Sequence, residues 1–282
     1  MKVKAYGKVN LALDVCGHLP HGYHELDMIM APIDLYDELT IEENERDVVI
    51  CENCVLPLQN TLTKAMHVMR KEAGLKNHYR VELTKQIPSM AGIGGGSADA
   101  AALMEALNDM EHLGLSKEQL QTLAVQVGAD VPFCLQKTYA RVRGIGEEII
   151  PIDSDWTFPI LLVQPSDGVS TPACFQAWDQ EEEHTRCDVE LVANALKKED
   201  VILLYSTMAN SLEPIAWKLL PSLETVQDDL YGQEMVRVMM TGSGSCMMGF
   251  SVDEQVLDHA AAQLAQKYPF VQIVHVGKLE EA

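Results

Sequence analysis

From residue 3 to residue 15 the odd positions are Val3, Ala5, Gly7, Val9, Leu11, Leu13 and Val15, while Lys4, Tyr6, Lys8, Asn10 and Asp14 fall on even ones. Period two over this length predicts a strand and sets Lys8 and Asn10 on its polar face. Further strands are predicted at 37–42 and 79–84, the second from Val81 and Leu83 alternating with Arg80 and Glu82, with a helix over 61–74 between them. A glycine-rich turn and a helix over 98–113 follow. Residues 117–127 are helical by the spacing of Leu120, Leu123, Ala124 and Val127, with Gly128 as the stop. Strands at 138–143 and 147–152 pair around Gly144-Ile-Gly146.

The remainder predicts a strand at 159–164, several helices to about 231, strands at 235–240 and 245–252 around Gly242-Ser-Gly244, a helix over 254–267 and a strand at 270–276. In the helix, Val256, Ala260, Leu264 and Ala265 share one side. This order is that of a split β-α-β unit of ferredoxin-like type. Asp153-Ser-Asp155 marks the boundary, giving an α+β protein of two domains, 1–153 and 154–282, with a cleft suited to two substrates.

Composition narrows the partners. The 282 residues carry 42 acidic and 21 basic side chains, a net charge of −21 without any basic stretch, which argues against binding to nucleic acid. A small anionic ligand stays open, because backbone N–H groups bind phosphate whatever the net charge. Apolar residues at 47% and charged ones at 22% exclude disorder as the main state. No run approaches the roughly 20 apolar residues of a membrane span, and Lys8, Asn10 and Asp14 break any signal-peptide core, so a cytoplasmic protein is expected. Seven cysteines without framework spacing read as reduced thiols; Cys51-Glu-Asn-Cys54 lacks a second pair at zinc spacing. The series His18, His21, His24 lies between strands, with no regular geometry to converge three rings on one ion.

The most informative stretch is KQIPSMAGIGGGSADAAALMEALN, residues 85–108. Gly92, Gly94, Gly95 and Gly96 permit close backbone approach to a ligand, and Ser97 can cap the helix that follows. Strand, glycine loop and helix N-terminus make a phosphate cradle. A flexible turn with a helix cap is the other reading of the same glycines. Neither a Walker loop nor a dinucleotide fingerprint is spelled here, since Ser97 stands where the last glycine of G-x-G-x-x-G would be.

This stretch resembles the second motif of the galactokinase, homoserine kinase, mevalonate kinase and phosphomevalonate kinase superfamily, and its Gly-Gly-Gly-Ser spelling is most similar to the 4-diphosphocytidyl-2-C-methyl-D-erythritol kinases. AYGKVNLALDV (5–15), HGYHELDMIMAPIDLYDELTI (21–41), GADVPFCL (128–135), NSLEPIAWKLLP (210–221) and MTGSGSCMMGF (240–250) agree in order and spacing. The resemblance implies an N-terminal domain like ribosomal protein S5 and a ferredoxin-like C-terminal domain. It implies ATP with magnesium as cofactors, the nucleotide lying on Ala91, Gly92, Ile93, Gly94, Gly95, Gly96 and Ser97 near Asn60, Lys64 and Lys85. Lys8 and Asp130 are the implied catalytic pair. Asp130 can accept an alcohol's proton and Lys8 can orient that carboxylate. Asn10, Tyr23, His24, Phe175, Thr241, Gly242 and Ser243 are the implied contacts of a small alcohol, a cytidine diphosphate conjugate whose pyrimidine suits an aromatic sandwich.

Apart from the resemblance, Lys8 reads as a surface strand lysine, Asp130 as a turn former, Phe175 as core, and Met90, Met239, Met240, Met247 and Met248 as gap-filling core. The chain departs from the branch at His18-Leu19-Pro20, where basic residues are usual, at Ala98 before Asp99, where many relatives have a second serine, and at Gln136-Lys137, in place of a glycine. A kinase of another small alcohol and a non-catalytic nucleotide-binding paralogue are the competing readings. Ser97 and Asp99 are the candidate magnesium contacts.

Overall fold

A long antiparallel hairpin organises the molecule: β1 (Lys2–His18) pairs along most of its length with β2 (His24–Asn44). The computed structural model describes residues 1–19, 22–277 and 279, so His21 of the histidine series lies outside the described residues. Three register shifts, at Tyr6/Lys8, Asn10/Ala12 and Val15/Gly17, interrupt the pairing, and such bulges bend and twist a strand. Residues 7–15 are all buried, so over this stretch the alternation predicted from sequence has no wet face, although Lys4 is exposed. Lys8, Asn10 and Asp14 are covered by segments from elsewhere in the chain, which corrects the reading of Lys8 as a surface lysine.

The far half of β2 pairs with β4 (His78–Thr84), outside which β3 (Val48–Cys51) lies parallel. The near half pairs with β5 (Ala140–Gly144), itself paired with β6 (Glu148–Pro151). The predicted strand at 37–42 is thus the end of a longer one. Residues 28–33 are buried without exception and carry no period-two signal, which is why alternation missed them.

Three helices, α1 (Thr61–Ala73), α2 (Gly95–Met110) and α3 (Lys117–Ala124), cover β2 and β4 through a core that includes Leu39, Ile41, Val81, Leu83, Leu62, Met66, Leu103 and Leu107. Asn60 starts α1 with a capping box and Gly74 ends it at φ +77°. A single turn, α4 (Val131–Cys134), follows α3.

In the second half β7 (Phe158–Gln164), β9 (Arg237–Met240), β10 (Met247–Phe250) and β11 (Phe270–Val276) form an antiparallel sheet ordered β11-β7-β10-β9. Counted along the chain this is 4-1-3-2, the ferredoxin-like order. Between β7 and β9 run α5 (Thr171–Trp178), α6 (Val189–Lys198), α7 (Val201–Thr207), the short β8 (Ala209–Asn210), α8 (Glu213–Leu219) and α9 (Ser222–Gly232), and α10 (Glu254–Leu264) precedes β11. The halves are stitched together where β8 pairs with β1 and Val276 pairs with Ile33. β7 sends Ile160 and Leu162 to a core shared with Val9, Leu11 and Ile33, and Leu161 and Val163 to another shared with Leu13, Val15 and Met30.

Two smaller expectations change. Cys51 and Cys54 form a disulfide with Cα atoms 5.4 Å apart, so two of the seven cysteines are not free thiols. Met239, Met240, Met247 and Met248 are fully buried as core, whereas Met90 is exposed at φ +53°. Among the described residues no helix is long and apolar enough to cross a membrane.

Candidate active site

The glycine loop joins β4 to α2. The N-cap of α2 is Gly94 at φ +75°, with no side-chain cap, and Ser97 lies inside the first turn with its N–H on the Gly94 carbonyl at 3.0 Å. The expectation that Ser97 caps the helix is therefore corrected: a left-handed glycine takes that place and the first N–H groups stay available for an anion. Gly92, also at φ +75°, has its reason in a close approach: a Cβ there would lie 2.2 Å from the Thr241 carbonyl oxygen. The turn at Gly242 meets Gly92 back to back, and the loops are joined by Ser245 N–H to Met90 O at 3.0 Å and Cys246 N–H to Ala91 O at 3.1 Å.

Under this junction lies Lys8. Its Nζ donates to Asn10 Oδ1 at 2.7 Å and to the Gly92 carbonyl at 3.0 Å, and sits 3.3 Å from Asp130 Oδ2. The backbone N–H of Lys8 donates to Ile93 O at 3.0 Å, so strand and loop are fixed at two levels. Asp130 stands at the head of α4 with its carboxylate about one-third exposed, in contrast to the buried ammonium. Asn10 N–H donates to Thr241 Oγ1 at 2.9 Å, Thr171 and Ser243 share a hydrogen bond of 2.7 Å, and Asn210 Nδ2 donates to Met240 O at 2.9 Å and Gly242 O at 2.8 Å.

A second buried cluster anchors the loop's start. Lys85 Nζ is bonded to Asp37 Oδ2 and, at 3.0 Å, to Asp99 Oδ2. Asp37 Oδ1 accepts from Gln86 N–H at 2.6 Å and Ile87 N–H at 2.8 Å. Sequence reasoning did not single out Asp37, yet it had a signal: Leu35, Asp37, Leu39 and Ile41 occupy one inward face of β2, where a carboxylate must find partners. Burial drives the Asp99 carboxyl up to about 7; the nearby Lys85 ammonium opposes this and the Asp37 charge reinforces it. Asp99 Oδ1 is buried without a hydrogen-bond partner among the described residues.

These groups line a cleft of about 510 Å³ that includes Lys8, Asn10, Asn60, Lys85, the 91–97 loop, Asp99, Asp130, Phe175, Gly242 and Ser243. A larger groove of about 1730 Å³ beside residues 1–6 contains none of the glycine loops. Asn60 uses its side chain to cap α1 and to donate to Pro57 O at 2.9 Å. Lys64 does not line the cleft; its Nζ donates to Val127 O at 2.9 Å. Among the aromatics, His24 stacks on Phe175 with centroids 4.7 Å apart and planes at 29°, while Tyr23 is 61% exposed and makes no ring contact among the described residues.

Comparison with known proteins gives this geometry a context. Residues 60–138 match the family model "GHMP kinases N terminal domain". A 4-diphosphocytidyl-2-C-methyl-D-erythritol kinase of Caldicellulosiruptor bescii is 37% identical over 253 residues, 88% of each chain. The crystal structure of a 4-(cytidine 5'-diphospho)-2C-methyl-D-erythritol kinase superposes with a TM-score of 0.83 at 31% identity, covering 99% of this chain and 100% of that one. Mevalonate kinase of L. major, at 17% identity and a TM-score of 0.72 over 100% of this chain and 97% of that one, shares the fold.

Proposed function

We propose that this chain, which belongs to the GHMP kinases and within them to the family of 4-diphosphocytidyl-2-C-methyl-D-erythritol kinases, transfers the γ-phosphate of ATP to the 2-hydroxyl of 4-diphosphocytidyl-2-C-methyl-D-erythritol, a step in making isoprenoid precursors. The observation that carries this reading is the Lys8 ammonium, held between the Asp130 carboxylate and the Gly92 carbonyl, because it sets a base directly beside a phosphate cradle. The acceptor's O–H gives its proton to Asp130 as its oxygen bonds to phosphorus; the bond from that phosphorus to the bridging oxygen breaks and ADP leaves. Lys8 fixes the carboxylate and offers positive charge where charge gathers on the phosphoryl oxygens. The N–H groups opening α2 bind the phosphates.

Magnesium belongs to the same reading: Ser97 and Asp99 are both residues of the cleft, and the Ser97 hydroxyl with Asp99 Oδ1, buried and without a hydrogen-bond partner among the described residues, suits a hard cation that would neutralise phosphate charge there. Asn60 and Lys85 belong on the nucleotide's side, with Lys64 one turn along α1 and outside the cleft, and Asn10, Thr241, Gly242 and Ser243 belong on the acceptor's. Tyr23, His24 and Phe175 form the cytosine pocket, with His24 turning off Phe175 to admit the base. The division at 153/154 is supported by the 4-1-3-2 sheet of the second half, and the reaction is placed in the cytoplasm, where ATP is. An ADP-forming assay over a panel of small alcohols that includes the cytidine diphosphate compound tests the reading. Turnover with that compound alone is expected; tight ATP binding with no turnover on any member would overturn it in favour of a nucleotide sensor.

A further inference from the structure

Cys51-Glu-Asn-Cys54 takes no part in phosphoryl transfer, yet it adjoins the nucleotide's side of the cleft. Cys51 ends β3 opposite Leu83 of β4, and Glu52 N–H prolongs the ladder to Leu83 O at 3.0 Å. Asn53 then pairs with the backbone of Lys85 through its side chain: Oδ1 accepts Lys85 N–H at 3.0 Å and Nδ2 donates to Lys85 O at 2.8 Å. The carboxamide stands in for one more strand residue and fixes the lysine whose ammonium meets Asp37 and Asp99. Cys54 turns the chain back, tied to Cys51 by the disulfide, and Cys54, Val55, Leu56 and Pro57 form part of the cleft's edge. Little else holds this segment. Val55 is 98% exposed and Leu58 97%, and beyond the disulfide the ties are Leu56 against the helical core and Asn60 Nδ2 on Pro57 O.

Resting on the reading that ATP occupies this cleft, we propose that Cys51 and Cys54 are a reversible dithiol–disulfide site that tunes nucleotide affinity by exchange with a cellular thiol of the glutathione class. A C-x-x-C pair in a cytosolic protein suits exchange rather than a permanent cross-link. In the reducing direction a reductant thiolate attacks the sulfur of Cys54, which lies on the cleft edge, whereas Cys51 is packed against the helical core. The S–S bond breaks, and Cys51 leaves as a thiolate and takes a proton. A second reductant thiolate attacks the reductant's own sulfur in the mixed disulfide, Cys54 is released and protonated, and the reductant departs as its disulfide. Two electrons pass to the protein. With the bridge closed, the cleft edge is set before nucleotide arrives; with it open, the segment after Asn53 must be ordered on binding, so reduction weakens ATP affinity.

The test holds the full chain in buffers of reduced and of oxidised glutathione, reads the thiol state by peptide mass after blocking free thiols, and measures ATP binding by calorimetry in each. Expected are the Cys51–Cys54 bridge in the oxidised buffer, both thiols in the reduced one, and ATP affinity about tenfold weaker after reduction, the scale of ordering one further residue on binding. Cys51→Ser and Cys54→Ser should each bind ATP as the reduced parent does, in both buffers. Cys16→Ser, which removes an exposed free thiol on β1, should keep the full response. Circular dichroism of each variant checks that it is folded, and the two bridge variants guard against one misfolding. Equal ATP affinity in both buffers, thiols that persist at Cys51 and Cys54 in the oxidised one, or a response that survives Cys51→Ser overturns the switch and leaves the ATP site standing. No ATP binding in either buffer overturns the proposed function with it.

Discussion

The junction around Lys8 and the pocket around Phe175 line the same cleft but are built on different principles. At the junction nearly every polar group is spoken for: the Lys8 ammonium has three partners, and two glycine turns from opposite halves press together so closely that a Cβ on Gly92 would lie 2.2 Å from the Thr241 carbonyl oxygen. At the pocket the aromatic surface comes from an exposed hairpin end and a short helix, and Tyr23 is left open to solvent. Phosphoryl transfer needs fixed charges at one point, which a crowded interior supplies. Under the proposed function, recognition of a base needs flat, accessible surfaces, which the aromatic edge supplies.

The contrast breaks first at Asp130. Asp130→Asn should lower kcat by about 10²–10⁴-fold with ATP affinity nearly unchanged, because the amide keeps the shape but takes no proton. Turnover within tenfold of the parent would remove it from the base role. Lys8→Met should cost activity on a similar scale, and here the buried setting adds a second effect. Asn10 Oδ1 and the Gly92 carbonyl lose a donor, lowering stability by about 1–3 kcal/mol in a denaturant titration.

Next in size is Gly92→Ala, in which the methyl group meets the Thr241 oxygen and φ +75° is strained for alanine. The loops should separate, raising KM for ATP at least tenfold and lowering the melting temperature; calorimetry that finds unchanged ATP binding would make the junction mere packing. Phe175→Ala should weaken CMP binding by about 1–3 kcal/mol through lost stacking and leave ATP alone. If it were core instead, stability would fall by roughly 3–5 kcal/mol and both ligands would suffer.

The last effect is a pH dependence on the junction's side. Burial raises the Glu213 carboxyl to about 7, although its Oε1 accepts Met240 N–H at 2.7 Å and Arg237 opposes the shift. A folded-state value above the unfolded one means a stabilising contribution that is complete below about 4.5 and is lost as pH rises through about 7. Glu213→Gln should therefore match the parent below about pH 4.5 and exceed it by up to roughly 3 kcal/mol at pH 8. Equal pH slopes for the two proteins would show that Glu213 does not titrate in this range.

How much of this was legible in the sequence follows from which forces are local. Strand alternation, helical spacing such as that of Leu120, Leu123, Ala124 and Val127, and the glycine spelling of residues 92–96 act over a few residues, and they predicted most elements and the loop. The ferredoxin-like order came from the sequence of elements, and the 4-1-3-2 sheet agrees with it. The first half of β2 stayed hidden because a strand covered on both faces has no period. Lys8 looked exposed because nothing local announces that Gly92 and Thr241 will close over its strand. Asp37, by contrast, could have been found from a charge on an inward register.

The bond from Asn10 N–H to Thr241 Oγ1 joins residues 231 positions apart in the chain. During synthesis from the N-terminus, Lys8 and its strand leave the ribosome long before the turn that covers them exists. A nascent chain that stops short of residue 241 can make its first hairpin but has nothing to seal the glycine loop against. The junction over Lys8 is thus among the last parts of the molecule to be completed, and a chain that ends before residue 241 lacks it altogether.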